Sequence, residues 1–224
     1  MAPTHPRSQQ AFTLVELLAT IIVLAVLVGI LVASSAPRLQ QARRIPCLSH
    51  LKSWGVATHA FASDHQDLLP MDGAPNGIST RDAWYADLPP LLGLPSYHQE
   101  GAWRTNPSIA LPRKAWICPS NSRVSNGRML FHYALNRRAT GSGPEDRMRS
   151  LGQVPDPSTL VWLFDNGGLA AVAAEGNAHP HVHGAGAQFL FVDGHVQRLP
   201  NSAYWDLERD RPRRNPEGLR WQRD

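Results

Sequence analysis

The sequence predicts an α+β protein in which one long amino-terminal helix packs against a small antiparallel β-sheet. Three observations support this prediction. An apolar run spans residues 11–36, helical periodicity continues beyond it to about Ser63, and runs rich in β-forming residues appear only after Arg128. The stretch between the helix and the strands is rich in Gly, Pro and Asn, which predicts a loop-rich insert.

The apolar run carries a single charge, Glu16. At a rise of about 1.5 Å per residue, a helix of this length covers about 35 Å, and the hydrocarbon core of a bilayer is about 30 Å thick. We therefore predict a transmembrane helix over residues 12–36. Because a carboxylate inside such a helix costs about 2.5 to 3.5 kcal/mol, Glu16 requires a partner.

A cut between Ala11 and Phe12 would supply that partner. The new α-amino group would lie on Phe12, and Glu16 would become the fifth residue of the mature chain. The positive end of the helix dipole also favours a carboxylate at this place. Glu16 could then neutralise the Phe12 amine of its own chain or of a neighbouring copy.

The residues Ala11-Phe12-Thr13-Leu14-Val15-Glu16, followed by about twenty apolar residues, resemble the class III signal of type IV prepilins and type II secretion pseudopilins. The resemblance implies that a prepilin peptidase cuts between Ala11 and Phe12, that Phe12 is N-methylated, and that Glu16 serves filament assembly. Ala11 departs from the family, which usually has Gly before the cut. The alternative is an uncleaved signal anchor that happens to carry Glu16.

Composition limits the remainder of the chain. After removal of the leader, enough residues remain for one domain with a hydrophobic core, and the 17 Gly and 19 Pro favour a loop-rich one. The 22 basic and 18 acidic residues are interspersed and leave a net charge of only +4, so we expect no nucleic acid partner. The resulting division of the chain is a leader peptide (1–11), a transmembrane helix (12–36), a helix extension (37–63), a periplasmic globular α+β domain (64–205) and a charged tail (206–224).

In the helix extension, apolar and small residues recur at spacings of three and four, which predicts a stripe that a sheet covers. The stripe consists of Leu48, Leu51, Gly55, Val56, His59 and Ala62. Pro46 leaves an alternative open, in which one helix ends there and a second begins.

Cys47 and Cys118 are the two cysteines of the chain. An even count in an exported protein indicates a disulfide, which here would join the long helix to the globular domain. The alternative is two separate buried thiols.

Further segments resemble one branch of the pilin-like family, which has a carboxyl-terminal His-x9-Asp-Gly motif. They are residues 47–52, residues 64–70, Trp84-Tyr85, Cys118-Pro119-Ser120, and His183 with Asp193-Gly194. The resemblance covers most of the chain and implies a pilin-like fold.

Turn residues punctuate the insert, residues 71–117, where residues 81–92 could form a short helix. We expect a partner-facing surface in this insert, because loops on a rigid scaffold often carry recognition. Its tryptophans, Trp84, Trp103 and Trp116, are core residues or interface aromatics, and the core interpretation is favoured.

Four runs predict strands, at residues 129–135, 159–164, 187–192 and 195–199. The last two form a hairpin in which Asp193-Gly194 supplies a two-residue type I′ turn. The tail, residues 206–224, holds six Arg and five acidic residues and is expected to be solvated coil or a charged wrap.

His179, His181 and His183 alternate along the chain, so one hypothesis is a metal site from these three side chains with Asp193 or Asp165. In the preferred interpretation, His183 bonds a backbone carbonyl at the entry to the hairpin. A calcium site could use only Asp165, Asn166 and Asp193, which offer few oxygens. We expect no metal and no cofactor.

The sequence contains no nucleophile, zinc-hydrolase or phosphate-loop motif, so we expect no enzyme. The expected function is that of a pilin-like structural subunit, single-pass in the inner membrane, with its carboxyl-terminal domain in the periplasm or on an extracellular filament. Its expected partners are other pilin-like subunits, prepilin peptidase, the inner-membrane assembly platform and the lipid bilayer. The alternative is a membrane-anchored periplasmic binding or metal-handling protein that does not polymerise.

Overall fold

The computed structural model describes residues 13–73, 81–140, 150–214 and 216–222, with the backbone alone for residues 31–43. The chain divides into two compact units, Met1–Gln41 and Ala42–Asp224. One helix, α1 (Leu14–Asp64, 51 residues), contributes to both units. Because α1 is continuous through Pro46, the alternative in which a first helix ends there is wrong.

In the first unit, α1 presents apolar side chains on all of its faces. The large apolar side chains from Leu14 to Ile30 are more than half exposed. In the part of the chain that the structure describes, no helix is long and apolar enough to cross a membrane. The structure therefore does not support the predicted transmembrane helix, residues 12–36, of which Phe12 and the side chains of residues 31–36 lie outside the described residues.

The second unit contains a five-stranded sheet in the order β3-β1-β2-β4-β5. Its strands are β1 (Tyr133–Asn136), β2 (Val161–Asp165), β3 (Val172–Ala173), β4 (Gly186–Phe191) and β5 (Val196–Pro200). All neighbours are antiparallel except β1 and β3, which are parallel.

The prediction of a purely antiparallel sheet is therefore wrong at β3. This strand has two residues, which is too short to show an alternating pattern. It is held beside β1 by the loop that follows β2, where Phe131 N donates to Leu169 O (3.2 Å) and Leu135 N donates to Ala171 O (2.9 Å).

Short elements complete the second unit. They are α2 (Trp84–Asp87), α3 (Arg137–Thr140), α4 (Asn201–Tyr204), and the antiparallel pair of β6 (Trp205–Asp206) and β7 (Arg211–Pro212). The short helix expected over residues 81–92 is thus divided into α2 and a 3-10 helix at Pro89–Leu92. Proline at the start of this 3-10 helix has no N–H to continue an α-helical hydrogen-bond ladder.

The buried face of α1 in the second unit runs through its largest apolar residues. It includes Cys47, Leu51, Trp54, Thr58 and Phe61, at alternating spacings of four and three. The predicted stripe is wrong at two positions, because Leu48 is 42% exposed and Val56 is 59% exposed. Leu51, Gly55 and Ala62 of the predicted stripe are buried.

Three indole rings form the centre of the core. The ring centroid of Trp54 lies 5.7 Å from that of Trp84 and 4.7 Å from that of Trp116. Trp103 is also buried. The core interpretation of the insert's three tryptophans is confirmed, so the loop-rich insert supplies core side chains as well as surface.

The carboxyl-terminal segment is also part of the core. Trp221 and Leu219 are buried, Asn136 Nδ2 donates to Trp221 O (2.9 Å), and Val161 N donates to Arg220 O (2.9 Å). Of the two expectations for the tail, solvated coil is wrong at Leu219, Arg220 and Trp221, which attach the tail to the sheet, and the charged wrap is the nearer description. The tail is highly charged, but its two apolar side chains, Leu219 and Trp221, attach it to the sheet.

The β4–β5 hairpin closes through three residues, 192–194. Phe191 N donates to His195 O (3.0 Å) and Gly194 N donates to Phe191 O (2.9 Å). Only Gly194 of these three has positive φ (83°), so the prediction of a type I′ turn is wrong. After two-residue loops, three-residue loops that end in one left-handed residue are the next most common hairpin connection.

The hairpin turn packs directly on α1. Lys52 Nζ donates to Gly194 O (2.8 Å). A Cβ at Gly55 would lie 3.4 Å from Gly194 O and 2.9 Å from Leu190 Cδ1. A side chain at position 55 would therefore require the Leu190 side chain to shift, while the backbone of the turn would lie at ordinary van der Waals contact with it.

We expect Gly194→Ala to lower the free energy of unfolding by about 1 kcal/mol more than Gly127→Ala. Both glycines have positive φ, which costs an L-residue about 1 to 2 kcal/mol. A Cβ at Gly194 would also lie 3.0 Å from His59 Nε2, whereas a Cβ at Gly127 would meet nothing within 4 Å. Chemical denaturation of the full chain in detergent, followed by tryptophan fluorescence, measures both.

In the double variant His59→Ala/Gly194→Ala, the additional loss in the free energy of unfolding caused by contact with His59 should disappear. Equal losses for the two single glycine variants would show that contact with α1 does not constrain the turn.

Candidate functional site

The start of α1 is a capping box formed by Thr13 and Glu16. Thr13 N donates to Glu16 Oε2 (2.9 Å), and Glu16 N donates to Thr13 Oγ1 (3.3 Å). Thr13 Oγ1 also lies 2.8 Å from Glu16 Oε2. The two side chains thus satisfy amide groups that the first turn of a helix leaves without partners.

This cap gives Glu16 a local role that the sequence reasoning missed. The signal for it is present, because Thr13-x-x-Glu16 directly precedes an apolar run. Ala11 and Phe12, the residues predicted for cleavage and methylation, lie outside the described residues. The predicted ion pair between Glu16 and the Phe12 amine therefore stays a prediction.

In the second unit, His183 faces a carboxylate. His183 Nε2 lies 3.0 Å from Asp165 Oδ2, and both side chains are fully enclosed. Asp165 is the last residue of β2, and its Oδ2 also accepts from Gln188 N of β4 (2.7 Å). The predicted bond from the His183 ring to a backbone carbonyl is wrong, because the carboxylate at the end of β2 occupies that place.

The cysteines form a disulfide between Cys47 on α1 and Cys118 in the loop that leaves the insert. His183 Nε2 lies 3.8 Å from Cys118 Sγ. These residues make one buried group, the His183 cluster, defined as Cys47, Cys118, Asp165 and His183. The cluster joins α1, the insert and the sheet at a single point.

The other two histidines of the alternating trio do not join this cluster. His179 N donates to Asp165 O (3.0 Å), and His181 N donates to His179 Nδ1 (3.1 Å). Burial lowers the pKa of His179. Among the described residues, the side chains that could jointly hold a metal ion are Cys47, Cys118 and His183.

The residues considered for calcium do not converge either. Asn166 Nδ2 donates to Phe131 O and to Ala170 O (2.9 Å each). Asp193 lies at the far end of β4, where its Oδ1 accepts from His195 N (3.0 Å). The motif residues His183 and Asp193 thus lie at opposite ends of one strand and form no common site.

A second buried histidine, His132, borders the cluster. Cys118 N donates to His132 Nδ1 (3.1 Å), and His132 Nε2 lies 3.0 Å from Arg123 O. These contacts suit a neutral ring with its proton on Nε2. Burial lowers the pKa of His132, because the enclosed site disfavours a charged ring, and this effect outweighs the opposing effect of the backbone hydrogen bonds with Arg123 and Cys118.

The stability of the second unit should therefore fall as pH decreases below about 6.5, the ordinary histidine pKa. In that range the unfolded chain binds a proton at His132 that the folded chain excludes, so acid favours unfolding. Denaturation between pH 7.5 and 5.5 measures this slope. We expect His132→Gln to make it shallower and the exposed His181→Gln to leave it unchanged; the same slope in both variants would contradict this assignment.

Residues 6–32 match a family model described as the prokaryotic N-terminal methylation motif. No curated protein and no solved structure matches the chain significantly. The matched segment contains Ala11, Phe12 and the Thr13–Glu16 cap, and it supports the pilin and pseudopilin family. A motif of this kind is typical of substrates of prepilin peptidase. The match does not extend to the His-x9-Asp-Gly motif.

Proposed function

We propose that the chain is a pilin-like structural subunit of a type II secretion pseudopilus or a type IV pilus-like filament. Prepilin peptidase cuts between Ala11 and Phe12, Phe12 is methylated, and the mature chain assembles with other pilin-like subunits on an inner-membrane platform. The methylation motif over residues 6–32, with Glu16 at the start of α1, is the observation that carries this proposal. The role is structural and not enzymatic.

The surface of the first unit supports assembly. Apolar side chains from Leu14 to Ile30 are exposed on all faces of α1. A helix of this kind requires a cover, because exposed apolar area on this scale is unfavourable in water. In the proposal, lipid covers it before assembly, and neighbouring copies of α1 cover it in the filament.

The geometry of Glu16 is compatible with a second partner. The hydrogen bonds described for its carboxylate end on Oε2, and a carboxylate can accept about four hydrogen bonds. Oε1 is therefore the oxygen that we assign to the amine of Phe12, in the same chain or in the next subunit. Pairing inside an apolar bundle offsets the cost of burying the carboxylate.

We expect the chain produced with a prepilin peptidase to begin at an N-methylated Phe12. The small side chain of Ala11 resembles the usual Gly, so Ala11→Gly should be cut at least as fast and Ala11→Leu more slowly. Intact-mass measurement of the purified protein decides this. An intact Met1, or trimming at another residue, would refute the proposal in favour of an uncleaved anchor.

Two variants distinguish the role of the Glu16 charge in assembly from the role of Glu16 in the helix cap. Glu16→Gln keeps an oxygen for Thr13 N but removes the charge, whereas Thr13→Ala keeps the charge and removes one half of the cap. We expect Glu16→Gln to reduce filament yield at least tenfold and Thr13→Ala to reduce it much less, with cleavage retained in both. Electron microscopy of sheared filaments measures the yield.

Equal, mild effects of the two variants would mean that Glu16 serves only as a helix cap. Cleaved chains that stay monomeric even in the wild type would favour the alternative, a periplasmic binding or metal-handling protein that does not polymerise.

A further inference from the structure

The geometry of the His183 cluster points to a metal site in the reduced protein. We propose that, when the disulfide is reduced to two thiolates, Cys47, Cys118, His183 and Asp165 bind one Zn²⁺ ion. Formation of the disulfide excludes the metal, because both states use the same two sulfur atoms. This site is independent of filament assembly.

The distances from His183 to two of the other donors are close to those of a zinc tetrahedron, and the Asp165 carboxylate, which lies outside the group of donors within 4.8 Å of one another, has to move toward the sulfurs to complete it. Zinc bonds of about 2.0 to 2.3 Å place ligand nitrogen and oxygen about 3.3 Å apart, and nitrogen and sulfur about 3.6 Å apart. His183 Nε2 lies 3.0 Å from Asp165 Oδ2 and 3.8 Å from Cys118 Sγ. The ligand atoms of Cys47, Cys118 and His183 all lie within 4.8 Å of one another. Reduction frees the two sulfurs to separate by rotation of their side chains.

The burial of these groups indicates a site and not a surface cluster. Each of the four residues is at most 2% exposed. Asp165 Oδ1 has no hydrogen-bond partner among the residues that the structure describes. His183 Nδ1 has none either, but it is the ring nitrogen that does not face the sulfur and takes no part in the proposed coordination. An enclosed carboxylate oxygen without a partner is costly, and coordination of a cation would satisfy it.

The donor types select the metal. Thiolate and imidazole ligands favour Zn²⁺ over the hard cations Ca²⁺ and Mg²⁺, which prefer oxygen ligands. In the metal-bound state, His183 Nε2 coordinates zinc as the neutral ring, and Asp165 changes from its hydrogen-bond acceptor to the fourth ligand. Two thiolates and one carboxylate surround the dication, so its charge is more than balanced within the enclosed site.

The metal-bound, reduced state and the disulfide state interconvert by thiol–disulfide exchange. Metal binding converts two thiols to thiolates and releases two protons. A disulfide oxidant then takes two electrons from the two thiolates, and the Cys47–Cys118 bond forms. The oxidant takes up two protons and leaves as two thiols, and Zn²⁺ is released. In either state one cross-link joins α1 to the insert, so zinc would hold the same connection before oxidation.

Metal titration of the full chain in detergent tests this proposal. The protein is reduced with a phosphine, freed of metal with a chelator, and titrated with Co²⁺ as a spectroscopic probe. We expect one equivalent to bind with thiolate-to-cobalt charge-transfer absorption and tetrahedral d–d bands, and Zn²⁺ to displace it. The oxidised chain should bind at least a hundredfold more weakly.

Two histidine variants distinguish a ligand from a structural residue. His183→Gln should weaken binding at least about a hundredfold, and the control His181→Gln should not change it. His183→Cys should keep binding and raise the charge-transfer intensity roughly 1.5-fold, because three thiolates replace two. A purely structural role for His183 would not produce that increase.

The outcomes separate clearly. A reduced chain that unfolds without metal and refolds on addition of Zn²⁺ supports the site, since metal binding and folding are then coupled. A reduced chain that binds no Co²⁺, folded or unfolded, overturns it. Equal binding by the oxidised and reduced chains, or equal loss in both histidine variants, also overturns it. Failure here leaves the proposed filament subunit unaffected.

Discussion

Close packing of α1 against the sheet is the constraint on which the second unit depends. At one point Leu190 and the β4–β5 turn pack on Gly55, and Lys52 Nζ donates to the carbonyl of Gly194. Further back along the helix, Cys47 is joined to Cys118. Since a sheet of short strands has little stability alone, the helix provides the surface on which it assembles.

The spacing of the His-x9-Asp-Gly motif has a structural explanation. His183 lies just before β4 and Asp193-Gly194 just after it, so the interval is the length of one strand with its flanking turns. The first end binds Asp165 within the core, and the second end forms the turn that contacts α1. One strand thereby connects two contacts that hold the sheet in place, and neither contact requires a ligand at the motif itself.

Four of the five strands of the main sheet, the core tryptophans and the pairing of Cys47 with Cys118 follow from local composition and from the number of cysteines. β3 could not be predicted, because two residues are too few to show the alternating pattern of a strand. The Thr13–Glu16 cap could be predicted from the motif Thr13-x-x-Glu16, but the charge of Glu16 was assigned to the amine of Phe12, in the same chain or in a neighbouring copy. The pairing of His183 with Asp165 could not be read, because residues eighteen positions apart meet only when β2 and β4 become neighbours.

The sequence alone determined that an apolar helix begins within an N-terminal methylation motif, because that information lies in adjacent residues and one periodicity. The tertiary structure decided which face of α1 is buried, that the sheet is mixed, and that His183 lies against both the Cys47–Cys118 disulfide and Asp165 in the core. These features depend on contacts between distant segments, whose free energies are set by packing and desolvation and leave no local pattern in the chain.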